Sequence, residues 1–107
     1  MTKQIQHIIR HFKKDTQAIL KDNLLAEYLF GSYSKNTYTS HSDIDILIIV
    51  KSLNPEIRDK ISSLSSDYSL NQGVIISPIL KDHETWDKNK KYNTYFYKEI
   101  QKYGKEL

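Results

Sequence analysis

Residues 43–50 read Asp-Ile-Asp-Ile-Leu-Ile-Ile-Val. After Asp45 the run is wholly apolar and mostly β-branched. Such side chains are stiff at χ1 and suit a pleated surface. Their near-continuous hydrophobicity predicts a central strand covered on both faces. The rest of the chain must then supply the layers that cover it.

The flanking segments have the periodicity to do so. Residues 3–21 read as an amphipathic helix with Ile5, Ile8, Ile9, Phe12 and Ile19 on one face. Residues 25–30 read as a short strand ended by Gly31. Residues 32–37 read as a helical turn that opens into the polar loop Tyr38–Ser42. Asn54, Pro55 and Glu56 supply an N-cap, a first-turn proline and an acidic residue at the positive end of a helix. That helix spans about 55–70, with Ile57, Ile61, Leu64 and Tyr68 on one side, and Gly73 forms a left-handed cap. Residues 74–80 predict a strand, and Pro78, which has no N–H to donate, sends it to a sheet edge or ends it there. A short helix over 83–90 follows. A last helical segment over 92–103 would place Tyr92, Phe96, Ile100 and Tyr103 on the core face, with Tyr95 and Tyr97 outside. Trp86 reads as an anchor under the sheet. The order α-β-(α)-β-α-β-α-α predicts an α/β or α+β fold, a small mixed sheet flanked by helices, with residues 1–107 as a single domain.

Composition narrows the function. There is no cysteine, which excludes disulfide frameworks, thiolate metal sites and cysteine nucleophiles. The net charge of +3 permits an anionic ligand without demanding one. It also disfavours a nucleic-acid partner, for which a basic stripe is expected. No apolar run approaches the ~20 residues of a membrane span. The first residues lack the unbroken apolar stretch of a signal peptide. A cytoplasmic protein is the expectation.

The chemistry-bearing residues are Gly31-Ser32 and Asp43-Ile44-Asp45, with Tyr33 to Ser42 between them. In a strand, Asp43 and Asp45 share one face with alpha carbons about 6.6 Å apart. Paired carboxylates stay ionised when a cation joins them, and Mg²⁺ prefers carboxylate and phosphate oxygens. Glycine where a strand turns into a helix lets a phosphate approach the backbone. The Ser32 hydroxyl and the amides after it add hydrogen-bond donors. One element thus reads as a triphosphate holder and the next as a metal holder. Without the aspartates, Gly31-Ser32 would read as a simple turn.

The stretch LFGSYSKNTYTSHSDIDILIIV resembles the GS–x10–DxD motif of the minimal nucleotidyltransferases, small members of the DNA polymerase β-type superfamily. Leu29, Phe30, Gly31, Ser32, Ser42, Asp43, Ile44 and Asp45 carry the match. The phrases GVIISPI and FYKEIQKYGKEL extend it. The resemblance implies a nucleotidyltransferase fold, Mg²⁺ on Asp43 and Asp45, and ATP or another nucleoside triphosphate on Gly31, Ser32, Lys35 and Ser42. An acceptor would attack the α-phosphate and pyrophosphate would leave. The resemblance further implies a HEPN-domain toxin as partner, with this chain as the antitoxin that transfers AMP to it.

The chain departs from the family pattern at three places. Tyr33 and Lys35 stand where arginines are common, and Asn36 where glycine is common. The strand over 74–80 has no third carboxylate, and Ser77 is its expected occupant. No acceptor-binding domain follows within these residues. Asp82, Glu84 or the partner is left to supply the acceptor base. The alternative is a catalytically degenerate antitoxin that acts by binding alone. His7 and His11, four apart on a helix, have the spacing of a metal clip without a third ligand nearby, and read as solvated or partner-facing.

Overall fold

The computed structural model describes residues 1–107. Helix α1 (Lys3–Leu20) leads through a 3-10 turn (Lys21–Asn23) into β1 (Leu24–Phe30). Then follow α2 (Gly31–Lys35), β2 (Ile44–Val50), α3 (Pro55–Gln72), β3 (Ile76–Asp82), α4 (His83–Lys91), α5 (Tyr95–Tyr103) and β4 (Lys105–Glu106). The sheet order is β3-β2-β1-β4. β1 pairs antiparallel with β2 and with β4, and β2 pairs parallel with β3, so the sheet is mixed as expected.

β2 is the central strand. Ile44, Ile46, Leu47, Ile48 and Val50 are all buried to 1% exposure or less. Its even-numbered residues pack with Ile8, Ile9, Phe12 and Leu20 of α1 and Ile61 of α3. Leu47 and Ile49 pack on the opposite face with Ile100 of α5, backed by Trp86 and Phe96. The alternation of side chains along a strand divides the apolar run between the two layers.

The helix ends have identifiable causes. Thr2 Oγ1 accepts from the Ile5 N–H at 3.1 Å and starts α1. Asn54 Oδ1 accepts from the Ile57 N–H at 2.9 Å and starts α3. Gly73 at φ +66° stops α3 at Gln72, two residues beyond the expected end. β3 shifts by the same two residues. The Ile44 N–H donates to the Ile75 carbonyl at 2.9 Å. In a parallel pair alternate residues face the neighbour, so Ile75 and Ser77 bond to β2 and Pro78 turns its missing N–H to the free edge.

Three features differ from expectation. β4, paired through Tyr28↔Glu106 and Leu29↔Lys105, closes the other edge of the sheet. Tyr92 ends α4 rather than lying on α5, and is 70% exposed instead of joining the core face. Tyr103 sits at the rim, covered by lysines rather than by the core. No helix is long and apolar enough to cross a membrane.

Candidate active site

Sheet register brings the distant motif residues together. Phe30 pairs with Asp45 across β1 and β2, so Gly31 emerges beside Asp45. Asp45 pairs with Ser77 across β2 and β3. Gly31, Asp45 and Ser77 thus share one end of the sheet, and Asp43 stands just outside it.

Gly31 is held at φ +72°, a left-handed conformation that suits glycine. The space where its Cβ would project is already filled. That atom would collide with Asp45 Oδ2 and lie 3.0 Å from Asp45 Cγ. Ser32, half-buried, is the second residue of α2, and its carbonyl accepts from the Thr37 N–H at 2.9 Å. Asn36 caps α2 at φ +62°, so asparagine supplies the left-handed backbone where the family pattern has glycine.

Asp43 is exposed, and its Oδ2 accepts from Ser77 Oγ at 3.2 Å. Asp45 is half-buried. Burial, and then the charge of Asp43, push its carboxyl above the ordinary range. Two crowded carboxylates relieved only by a serine hydroxyl make a donor set that a divalent cation fits. No group of three or more His, Cys, Asp or Glu side chains converges to hold a metal. A cation here would take its other ligands from phosphate or water, as Mg²⁺ commonly does.

Ser77 is thus the β3 residue level with Asp45 and bonded to Asp43. Asp82 is not brought to the aspartate pair. Asp82 pairs with Val50 at the far end of β2 and caps α4, accepting from the Thr85 N–H at 2.7 Å. That hydrogen bond holds its carboxyl below the usual range.

The remaining predicted residues are placed differently from one another. Lys35 lies one helical turn after Gly31 and forms an ion pair with Glu99 of α5 at 2.9 Å. Ser42 uses its hydroxyl locally, accepting from the Thr39 N–H at 2.8 Å and so closing the loop before Asp43. Tyr33 turns inward and stacks on Tyr38 with ring centroids 4.7 Å apart. His7 and His11 sit 4.3 Å apart by ring centroid on a groove between α1 and α3. Glu99 was not legible as a site residue, because 64 positions separate it from Lys35.

Gly31, at the strand-to-helix turn, packs against Asp45 of β2, and Asp43 lies just before that strand. The family model described as "Nucleotidyltransferase domain" matches residues 9–106, and the chain belongs to that family. A Methanocaldococcus jannaschii protein named "Putative protein adenylyltransferase MJ0141" is 41% identical over 106 residues, covering 97% of this chain and 99% of the relative. A second from that organism, "Putative protein adenylyltransferase MJ0604", is 31% identical over 99 residues, covering 92% and 93%.

Solved structures share the fold. A toxin–antitoxin crystal structure with AMP-PNP has a TM-score of 0.57 at 23% identity, covering 90% of this chain and 69% of that one. A mutant of the toxin–antitoxin MntA-HpeT has a TM-score of 0.55 at 20% identity, covering 98% and 72%. The resemblance to the minimal nucleotidyltransferases is borne out, and the mixed sheet flanked by helices is the fold of those neighbours.

Proposed function

We propose that this protein is an Mg²⁺-dependent adenylyltransferase that moves AMP from ATP onto a hydroxyl of a partner protein, and that the partner is a HEPN-domain toxin for which it is the antitoxin. The observation that carries the reading is the packing of Gly31 against Asp45, which joins a phosphate-accessible backbone to a carboxylate pair. The protein adenylyltransferase names of its relatives support the acceptor class. The toxin–antitoxin neighbours support the kind of partner.

In this reading Gly31 and Ser32 hold the β- and γ-phosphates through backbone and hydroxyl, and Lys35 offsets their charge. Asp43 and Asp45 hold the metal, whose chemistry when bound is to polarise phosphate and stabilise charge on the leaving pyrophosphate. Ser42 acts through the loop, fixing the approach to Asp43. The acceptor oxygen bonds to the α-phosphorus, the bond to the β-phosphate oxygen breaks, and the acceptor proton leaves to a base from outside this chain or to water. In this proposal residues 1–107 form one domain that works in the cytoplasm, where ATP is supplied.

The test is to incubate the protein with ATP, Mg²⁺ and the product of its neighbouring gene. An AMP-sized mass gain on that product is expected, and it should vanish with Asp43→Asn/Asp45→Asn.

Ser77 favours a second reading, a degenerate antitoxin that neutralises its toxin by docking. That reading predicts that the Asp43→Asn/Asp45→Asn variant neutralises as well as the parent. The transfer reading predicts that it fails.

A further inference from the structure

Lys35 is the single basic residue on α2, and it shares the face of Gly31, four positions back. Its ammonium is already engaged. Glu99 Oε2 lies 2.9 Å away and Glu99 Oε1 3.1 Å, and the Tyr103 ring centroid is at 5.1 Å. The side chains of Lys35 and Glu99 are only 32% and 16% exposed, so salt screens the pair incompletely. Ser34, the neighbour of Lys35, donates its hydroxyl to the Tyr103 carbonyl and ties α2 to α5 a second time.

Glu99 has one more partner. Its Oε1 accepts from the Tyr95 hydroxyl at 2.8 Å. Should Lys35 depart, Glu99 would keep a donor, which lowers the cost of opening the pair.

We infer that Glu99 sets the affinity of this site for a polyphosphate by competing for Lys35, so that the ammonium is neutralised before nucleotide arrives and passes from carboxylate to phosphate on binding. The inference rests on the nucleotide site proposed above. A lysine is a mobile point charge on a flexible stem, suited to changing partners in a way a bidentate arginine fork is not. The closed pair presents no net charge to an incoming nucleotide. A partly exposed pair of this kind is worth at most about a fivefold change in an equilibrium, so a triphosphate can displace it. Glu99 is thus a positioning residue that acts through Lys35.

The experiment is calorimetric titration of Mg²⁺-tripolyphosphate and of Mg²⁺-ATP into the full chain. Four proteins are compared: the parent, Glu99→Gln, Lys35→Gln, and the two together. Glu99→Gln should tighten both ligands about three- to fivefold. Lys35→Gln should weaken them, and most of the Glu99→Gln gain should disappear on the Lys35→Gln background. A gain in affinity is not a result that damage to the fold produces. Binding by the parent without tightening in Glu99→Gln overturns the inference alone. So does a tightening that persists undiminished without Lys35. Failure of both the parent and Glu99→Gln to bind either ligand overturns the nucleotide site and the inference together.

Discussion

Gly31 and Asp45 occupy each other's space. The side of Gly31 where a Cβ would project is filled by the Asp45 carboxylate, whose Cγ would lie 3.0 Å from that atom. The end of β1 and the start of β2 are therefore fitted to one another at the site.

Alanine at Gly31 meets two penalties, a left-handed backbone and a collision with Asp45. The expected loss is about 2–3 kcal/mol, lowering the unfolding midpoint by roughly 10–20 °C. Gly73 has φ +66° with nothing within 4 Å of its missing Cβ. Gly73→Ala should cost only the backbone strain, about 1 kcal/mol. Thermal unfolding of the two variants, followed by circular dichroism, checks the difference. Equal losses would contradict the contact.

Asp45 is less stable charged than an exposed aspartate is, because of its burial and of Asp43. Its folded carboxyl titrates above its unfolded value of about 3.9. The folded state therefore binds the proton more tightly, and stability falls as pH rises through that window. At pH 7 Asp45→Asn should raise the unfolding midpoint while losing Mg²⁺-dependent nucleotide binding. Added Mg²⁺ with ATP should stabilise the parent and leave the variant unchanged. A lower midpoint in the variant would show that Asp45 serves the fold rather than the site.

Glu27 is 2% exposed beneath α1. One carboxylate oxygen accepts from Thr16 Oγ1, and the other has no hydrogen-bond partner. Desolvation raises its carboxyl above the usual range, outweighing the Thr16 hydrogen bond and the Lys13 charge. The sign is the same as for Asp45. Stability contributed below about pH 4.3 is lost as pH rises through the folded value. Glu27→Gln should remove that slope and raise stability at pH 7 relative to the parent. Thr16→Val should cost about 1–3 kcal/mol by leaving the carboxylate without a donor. Denaturant titrations at pH 5 and pH 7 separate the two effects.

Ser77 faces Asp45 across the register and donates to Asp43 at 3.2 Å. Ser77→Asp should place a third carboxylate beside the pair. In the transfer reading it should tighten Mg²⁺ binding and raise pyrophosphate release about tenfold or more, since a positioned base is worth that much. Without metal it should lower the unfolding midpoint, because three like charges crowd together. Pyrophosphate release with Ser77→Asp no faster than with the parent would mean that the base comes from the acceptor's side.

The legible parts of this molecule were those encoded locally. The apolar run of β2 announced a doubly covered strand. Asn54 and Gly73 marked the ends of α3, because caps act through their own neighbours. Gly31-Ser32 and the two aspartates were legible as one motif by their spacing, and the register that sets Gly31 against Asp45 was not. What stayed hidden depends on contacts between distant segments. β4 has only two residues and no periodicity, and exists because the edge of β1 was free. The burial of Glu27 depends on Thr16 of α1, 11 positions away, and no local pattern signals it. Tyr92 followed the helical spacing of α5, but Asn93 at φ +50° breaks the chain direction before that helix starts. Lys35 was readable as a cation near phosphate, and its pairing with Glu99 was not.

The nucleotide site is tested by calorimetric titration of ATP into the purified protein with and without Mg²⁺, repeated on Asp43→Asn/Asp45→Asn. Binding in the parent should require Mg²⁺ and be absent in the variant, with the fold of both unchanged by circular dichroism. Mg²⁺-dependent binding that survives in the variant would contradict the assignment of the metal to Asp43 and Asp45. Absence of binding in the parent would contradict the nucleotide site itself.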